Sequence, residues 1–177
     1  FPGVKLSISF MNSQDTHQSI LEGKGELGIT THEERHNESL LTQDVWLDSL
    51  HFVVARDHPL VKQPNLSLRA LTEYPALLPD LRFYTGRTVS RLFDQAGLSL
   101  QLDQDLSIDN LETLKAMVSI GDIWSVLPAT MLDDRSVIAL NIAGVALSRR
   151  LVCIRHKDRT LSKAAQAFLG ILAHHSD

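Results

Sequence analysis

The feature that most restricts the fold is a strand, a helix and a second strand within the first 30 residues. Residues 4–10 alternate apolar and polar side chains, which predicts a strand with one buried face. A helix capped near residue 12 and ended by Gly23 follows, and then a short apolar strand over residues 25–30. A β-α-β unit of this length favours parallel strands joined by a right-handed crossover.

The middle of the chain repeats this rhythm. Strand patterns at residues 74–79, 98–106 and 123–128 alternate with helix patterns at 86–96 and 108–120. A second β/α lobe of the same kind is therefore predicted.

Two strand-like segments connect the predicted lobes. Residues 45–55 leave the first lobe and residues 147–155 return to it, before a final amphipathic helix over 161–173. The division is residues 1–55 for the first part of lobe I, 56–146 for lobe II, and 147–177 for the return strand and C-terminal helix of lobe I. Two α/β lobes joined in this way leave a cleft, and ligands of such folds bind beyond the carboxyl ends of the strands.

Composition excludes several classes of protein. The 177 residues carry 17 Lys and Arg against 21 Asp and Glu, a net charge of −4 with no basic run, which argues against a nucleic-acid-binding surface on this chain alone. The single cysteine, Cys153, excludes an internal disulfide and a multi-cysteine metal site. No apolar run reaches the roughly 18 residues of a membrane span, and no segment reads as a signal peptide. We expect a cytoplasmic domain without membrane contact.

No motif of catalysis or metal binding is present. The sequence lacks Gly-x-Ser-x-Gly, a P-loop, Gly-x-Gly-x-x-Gly and His-Glu-x-x-His. The histidines near residues 32–38 fit a polar loop, and Cys153 lies on an apolar alternation typical of a core residue. We expect neither an enzyme nor a bound metal or cofactor.

Three turns suit ligand binding. Residues 11–15 and 107–110 place polar groups at helix N-termini directly after strands, where backbone N–H groups and the helix dipole attract small anions. Plain helix capping needs the same residue types and stays an open alternative. Residues 81–85 add Arg82, which could pair with a carboxylate or be an ordinary surface arginine.

The order of these segments resembles the effector-binding domain of LysR-type transcriptional regulators. The motifs that carry the resemblance span almost the whole chain: Phe1-Pro2-Gly3-Val4, Leu21-Glu22-Gly23, Gly25-Glu26-Leu27-Gly28-Ile29, His58-Pro59-Leu60, Ile108 to Val118 followed by Gly121, Val126-Leu127-Pro128, and the helix over 161–172. Each motif is weak alone, and their order and spacing make the match specific.

The resemblance implies an α/β fold of two Rossmann-like lobes joined by two crossover strands, as in type II periplasmic binding proteins. It implies a small, possibly anionic effector in the interlobe cleft, a homodimer of this domain and a tetramer of the full-length protein. It also implies DNA binding only through an N-terminal winged helix-turn-helix that this chain lacks. A solute-binding protein for transport with the same architecture is the alternative. The implied effector site consists of Asn12, Ser13, Gln14, Thr30, Thr31, Leu81, Arg82, Phe83, Ser107, Ile108, Asp109, Ile123 and Trp124.

The sequence departs from the family pattern in three places. The first strand and helix of lobe I are absent from this chain; the strand would lie between residues 4–10 and 26–30, so we expect these two segments not to pair with each other. Trp124 stands where a small residue is common, which predicts a partly filled pocket or one that favours flat ligands. The lone cysteine does not fit a peroxide-sensing member.

Overall fold

A computed structural model describes residues 3–33, 37–102, 108 and 110–174 of the chain. The chain divides into unit 1, Phe1–Leu47 with Arg150–Asp177, and unit 2, Asp48–Arg149. The helices are α1 Ser13–Glu22, α2 Leu68–Leu71, α3 Tyr84–Gln95, α4 Leu111–Ile120 and α5 Lys163–His174, with short 3-10 helices at Pro59–Lys62 and Ala129–Met131. The strands are β1 Gly28–Thr31, β2 Leu40–Ala55, β3 Trp124–Pro128, β4 Val137–Leu140 and β5 Leu147–His156.

Unit 1 is built around α1, β1 and β5. Strand β1 pairs antiparallel with β5, with Gly28 opposite Ile154. Ile20 of α1 packs with Val152 and Ile154 of β5 in a small buried core. Gly28 allows this close approach, because a Cβ there would lie 2.6 Å from the Thr16 side chain.

The ends of α1 and α5 are held by side chains from distant loops. Gly23 ends α1 in the left-handed conformation, with φ of 76°. The Arg159 guanidinium donates to the carbonyls of Ile20 and Leu21 at 2.6 and 2.7 Å, which supplies hydrogen bonds at the helix C-terminus. The Glu26 carboxylate accepts from the backbone N–H of Ser162, immediately before α5, at 2.7 Å.

The strand predicted over residues 4–10 is wrong. These residues form no strand and are exposed, with Leu6 at 77%, Ile8 at 72% and Phe10 at 95%. Their alternation fits a strand, but a strand needs a hydrogen-bonded partner, and none pairs with them among the described residues. They do not pair with β1, as expected above, and the predicted parallel pair in this unit is not formed within the described chain.

Unit 2 has two apolar layers, one on each face of its strands. Residues 50–54 of β2 pair antiparallel with β3, and residues 52–55 pair with β4 on the opposite edge. One face packs on α3 and includes Phe52, Phe93 and Trp124. The other packs on α4 and includes Val53, Leu114 and Leu127.

The predicted parallel arrangement of unit 2 survives as isolated bridges. Ala76 forms parallel bridges to Leu102 and to Trp124, which follows the strand-helix rhythm read from the sequence. The predicted strand over 98–106 is limited to the bridge at Leu102 within the described residues, and residues 103–106 lie outside them.

Strands β2 and β5 run through both units. β2 is a single strand of 16 residues, where residues 45–55 were expected to form one bent strand or two short ones. The division falls between residues 47 and 48 in β2 and between 149 and 150 in β5. The strand order is β1-β5-β2-β3. Among the described residues, no helix combines the length and the hydropathy that crossing a bilayer requires.

Candidate functional site

The turn before α1 is organised by Asn12. Its side-chain oxygen accepts from the backbone N–H of Asp15 at 2.9 Å, and its amide donates to the Asp15 carboxylate at 2.9 Å. The first intrahelical bond runs from Thr16 N–H to the carbonyl of Asn12. Asn12 is therefore a helix cap. The backbone N–H groups of Ser13 and Gln14 precede that bond and point toward the end of the helix.

The end of β1 borders a small polar cavity of about 20 Å³ in unit 1. Its lining is mostly polar and comprises His17, Thr31, His32, Glu33, Asn37, Leu40, Thr42 and Val152. Thr30 is also buried, and its hydroxyl has no hydrogen-bond partner among the described residues. The sequence singled out Thr30 and Thr31 but missed His17, which lies on α1 one turn after Ser13 and so faces the same end of the unit.

The turn before α3 carries Leu81, Arg82 and Phe83. Arg82 is held by Asp80: its Nε and Nη2 donate to Oδ2 at 2.9 and 2.6 Å, and its backbone N–H donates to Oδ1 at 2.8 Å. These hydrogen bonds lower the pKa of the Asp80 carboxyl. The guanidinium carbon also lies 5.9 Å from the centre of the Phe83 ring. The exposed charge of Arg82 is thus largely balanced by a neighbour two residues away.

Helix α3 begins without a side-chain cap. Phe83 occupies the N-cap position, and the first intrahelical bond runs from Arg87 N–H to its carbonyl. The backbone N–H groups of Tyr84, Thr85 and Gly86 precede that bond. Gly86 is required, because a Cβ there would lie 2.4 Å from the carbonyl oxygen of Pro79.

The third predicted turn is described only in part. Ser107 and Asp109 lie outside the described residues. Ile108 is half-buried and packs against the α4 core of unit 2. Asn110, next along the chain, caps α4 by accepting from the backbone N–H of Thr113 at 2.9 Å.

Trp124 is a core residue and its ring lines no described cavity. Its ring is fully buried, stacked on Phe93 with centroids 5.5 Å apart, and 5.6 Å from Phe52. Its indole N–H donates to the carbonyl of Leu71 at 2.9 Å. The expectation that this ring partly fills a ligand pocket is therefore corrected: the apolar layer over β3 holds it. Ile123, just before it, is half-buried against the α4 core.

The described residues offer little for catalysis or metal binding. They contain no group of three or more His, Cys, Asp or Glu side chains that could hold a metal ion. Cys153 is buried, and desolvation raises the pKa of its thiol to about 11, so it is not a nucleophile at neutral pH.

Several known proteins are similar to this chain. The HTH-type transcriptional regulator SsuR of Burkholderia cenocepacia is 32% identical over 145 residues, which cover 80% of this chain and 46% of SsuR. The regulatory domain of Synechocystis PCC6803 CcmR, solved in complex with 2-PG, has a TM-score of 0.84 at 22% identity and covers 100% of this chain and 86% of that one. The effector-binding domain of QuiR, solved with shikimate, has a TM-score of 0.78 at 19% identity and covers 94% and 78%.

The structural likeness establishes the fold, two α/β lobes of the type II periplasmic-binding-protein kind. The chain spans about half the length of the curated relatives it matches. The LysR substrate binding domain family matches residues 1–177. The chain therefore belongs to that family and is the effector-binding domain of a LysR-type regulator.

Proposed function

We propose that this domain senses a small anionic effector on behalf of a DNA-binding transcription regulator. Its curated relatives are transcriptional regulators, which supports a regulatory role over the transport role that the same architecture also serves. On this proposal the domain acts in the cytoplasm, binds its ligand without converting it, and needs no cofactor. Effector binding shifts the regulator between states only by its different affinities for them.

The observation that carries the proposal is the uncapped start of α3. Its 12 residues end in three backbone N–H groups, those of Tyr84, Thr85 and Gly86, ahead of the first intrahelical bond. A helix N-terminus of this kind favours an anionic group such as a carboxylate or phosphate. The start of α1 in unit 1 offers Ser13 and Gln14 in the same way. Shikimate, the ligand of QuiR, is a carboxylate, which supports this ligand class.

The remaining positions of the implied effector site belong to this proposal. They are Asn12, Thr30, Thr31, Leu81, Arg82, Phe83, Ser107, Ile108, Asp109, Ile123 and the backbone at Trp124. Arg82 contributes through its backbone and its positive field, since its guanidinium already pairs with Asp80.

Thermal unfolding with added anions tests the proposal. Shikimate, 2-PG and inorganic phosphate would each be titrated against the chain. A bound anion at a hundred times its dissociation constant stabilises the folded state by about 2.7 kcal/mol, which raises the melting temperature by roughly 5–10 °C in a domain of this size. Failure of all three anions, together with binding of an uncharged metabolite, would contradict the anionic class.

Charge-reversing variants locate the binding. Gln14→Glu adds a negative charge at the start of α1, and Phe83→Asp adds one at the start of α3, where an aspartate is a preferred cap. We expect each to weaken anion binding at least tenfold without unfolding its helix. Gln95→Glu makes the same change at the exposed C-terminal end of α3 and should leave binding unchanged. Equal effects of all three variants would place the anion elsewhere.

We further propose that the whole protein binds DNA through an N-terminal winged helix-turn-helix, with this domain forming homodimers and the full-length protein a tetramer. Sedimentation of the whole protein measures the assembly. Footprinting with and without the stabilising anion measures whether the DNA contact changes.

A further inference from the structure

His58 is a buried imidazole that the proposed function does not use. Its side chain is 1% exposed, and it lies at the start of the 3-10 helix Pro59–Lys62 in unit 2. The backbone before Pro59 is extended, as the proline ring requires, and this lets the imidazole turn back onto the chain.

The hydrogen bonding of His58 identifies its protonation state. Nδ1 accepts from the backbone N–H of Leu60 at 3.2 Å, so Nδ1 carries no proton. Nε2 is buried and has no hydrogen-bond partner among the described residues. The ring packs on Tyr74, with centroids 4.5 Å apart. The geometry therefore fits a neutral ring with its hydrogen on Nε2.

We propose that His58 is a proton-sensitive element of unit 2, whose ring must stay neutral for the chain around Pro59–Lys62 to keep its native conformation. A proton taken from solvent binds Nδ1 and removes the acceptor of the Leu60 N–H. It also creates a positive charge in an apolar site, which is unfavourable without a partner.

The surrounding charges do not remove this effect. The charged groups that act on His58 are the carboxylates of Asp57, beside it in the chain, and Asp122, in the turn between α4 and β3; both are exposed, and both favour a positive ring. Tyr74 is the titratable group in contact with the ring, and it is neutral in this pH range. Burial outweighs the two carboxylates and lowers the pKa of His58 below its usual value of 6.5.

The sign of the pH dependence follows. Above pH 6.5 the ring is neutral in both the folded and unfolded chain, and the folded state has its full stability. Below pH 6.5 the unfolded chain takes up the proton first, so stability is lost as the pH falls through this range. Between pH 7.5 and 5.5 the unfolding equilibrium constant of unit 2 should rise by up to about tenfold from this group.

Urea unfolding at the two pH values tests the proposal, with Trp124 fluorescence as the reporter. Trp124 lies in the core of unit 2, so a Trp46→Phe background removes the exposed second tryptophan, which belongs to unit 1. His58→Asn keeps an acceptor for the Leu60 N–H but cannot titrate, and it should lose most of the pH-dependent change. His156→Asn is the matched control, because His156 makes the same Nδ1 contact to the N–H two residues on, at 3.2 Å, from a more exposed position.

An unchanged pH dependence in His58→Asn would overturn the proposal. If that variant does not fold, NMR titration of the histidines in the unsubstituted chain decides. A ring that titrates below 6.5 with its hydrogen on Nε2, assigned to His58 through its contact with Tyr74, supports the proposal. A His58 ring that is already protonated at pH 7 contradicts it.

Discussion

Asp48 and Arg149, the first and last residues of unit 2, form an ion pair between strands β2 and β5. Both Nε and Nη2 of Arg149 lie 2.8 Å from the same carboxylate oxygen of Asp48. The Asp48 side chain is 4% exposed and that of Arg149 is 17% exposed. The pair therefore connects the two strands that run through both units, at the place where the chain enters and leaves unit 2.

Removing the arginine should strongly destabilise the fold. Arg149→Met leaves the Asp48 carboxylate buried without this partner, and losing one member of such a pair costs about 3 kcal/mol of unfolding free energy. Urea unfolding measures the loss. Arg150→Met is the control, since it breaks the Asp44–Arg150 pair, whose side chains are 63% and 57% exposed. That variant should lose less than about 1 kcal/mol, and equal losses would contradict the role of burial.

Two glycine-to-alanine substitutions should have opposite effects. At Gly86 the new Cβ would lie 2.4 Å from the Pro79 carbonyl oxygen and 2.7 Å from that of Asp80, both backbone atoms that cannot move aside cheaply. We expect Gly86→Ala to lower the unfolding free energy by about 1–3 kcal/mol. Gly170 lies within α5 with open space around its Cβ position. Gly170→Ala should therefore stabilise the chain by roughly 0.5–1 kcal/mol. Chemical denaturation of both variants decides.

The thiol of Cys153 should resist modification in the folded protein. Burial raises its pKa to about 11, against a smaller opposite influence of Arg155. At pH 8 few molecules carry the reactive thiolate, and the sulfur is shielded from solvent. A disulfide reagent that absorbs on reaction should label the native chain slowly and the urea-unfolded chain at the rate of a free thiol. Rapid labelling of the native chain would show that β5 opens locally.

The Lys115–Asp134 pair should respond unequally to loss of its two members. Lys115 Nζ lies 2.8 Å from the Asp134 carboxylate; the lysine side chain is 10% exposed and that of the aspartate 60%. Asp134→Asn leaves the enclosed ammonium without this carboxylate, whereas Lys115→Met leaves only a solvated carboxylate. Urea unfolding at pH 7 should show the larger loss for Asp134→Asn. The reverse order would contradict the assignment of Lys115 as the buried member.

The same pair predicts a pH dependence. Hydrogen bonds from Lys115 and from the backbone N–H of Ser136 lower the pKa of Asp134 to about 2. The stability that this carboxylate contributes is present above its usual pKa of 3.8 and is lost as the pH falls toward 2. NMR titration of the Asp134 carboxyl in the native chain measures the shift, and in Lys115→Met the pKa should return toward its usual value.

Local signals predicted many elements well. The bounds of α1 follow from the cap at Asn12 and the stop at Gly23, and β4 follows from the apolar run 137–140, because both signals depend on neighbours in the chain. The helix-start turns were likewise predicted from sequence. Their use by an effector stays a proposal, since caps and anion sites require the same residue types.

Contacts between distant residues decided the rest. The alternation over residues 4–10 determined a pattern without a partner strand, so it is exposed chain instead of a buried edge. The indole of Trp124 could have faced a ligand or a core, and Phe52 and Phe93, from a strand and a helix far along the chain, placed it in the core. The sequence alone determined the helices, the turns and the family. Only the tertiary structure decided which side chains are buried, because burial depends on which segments pack together.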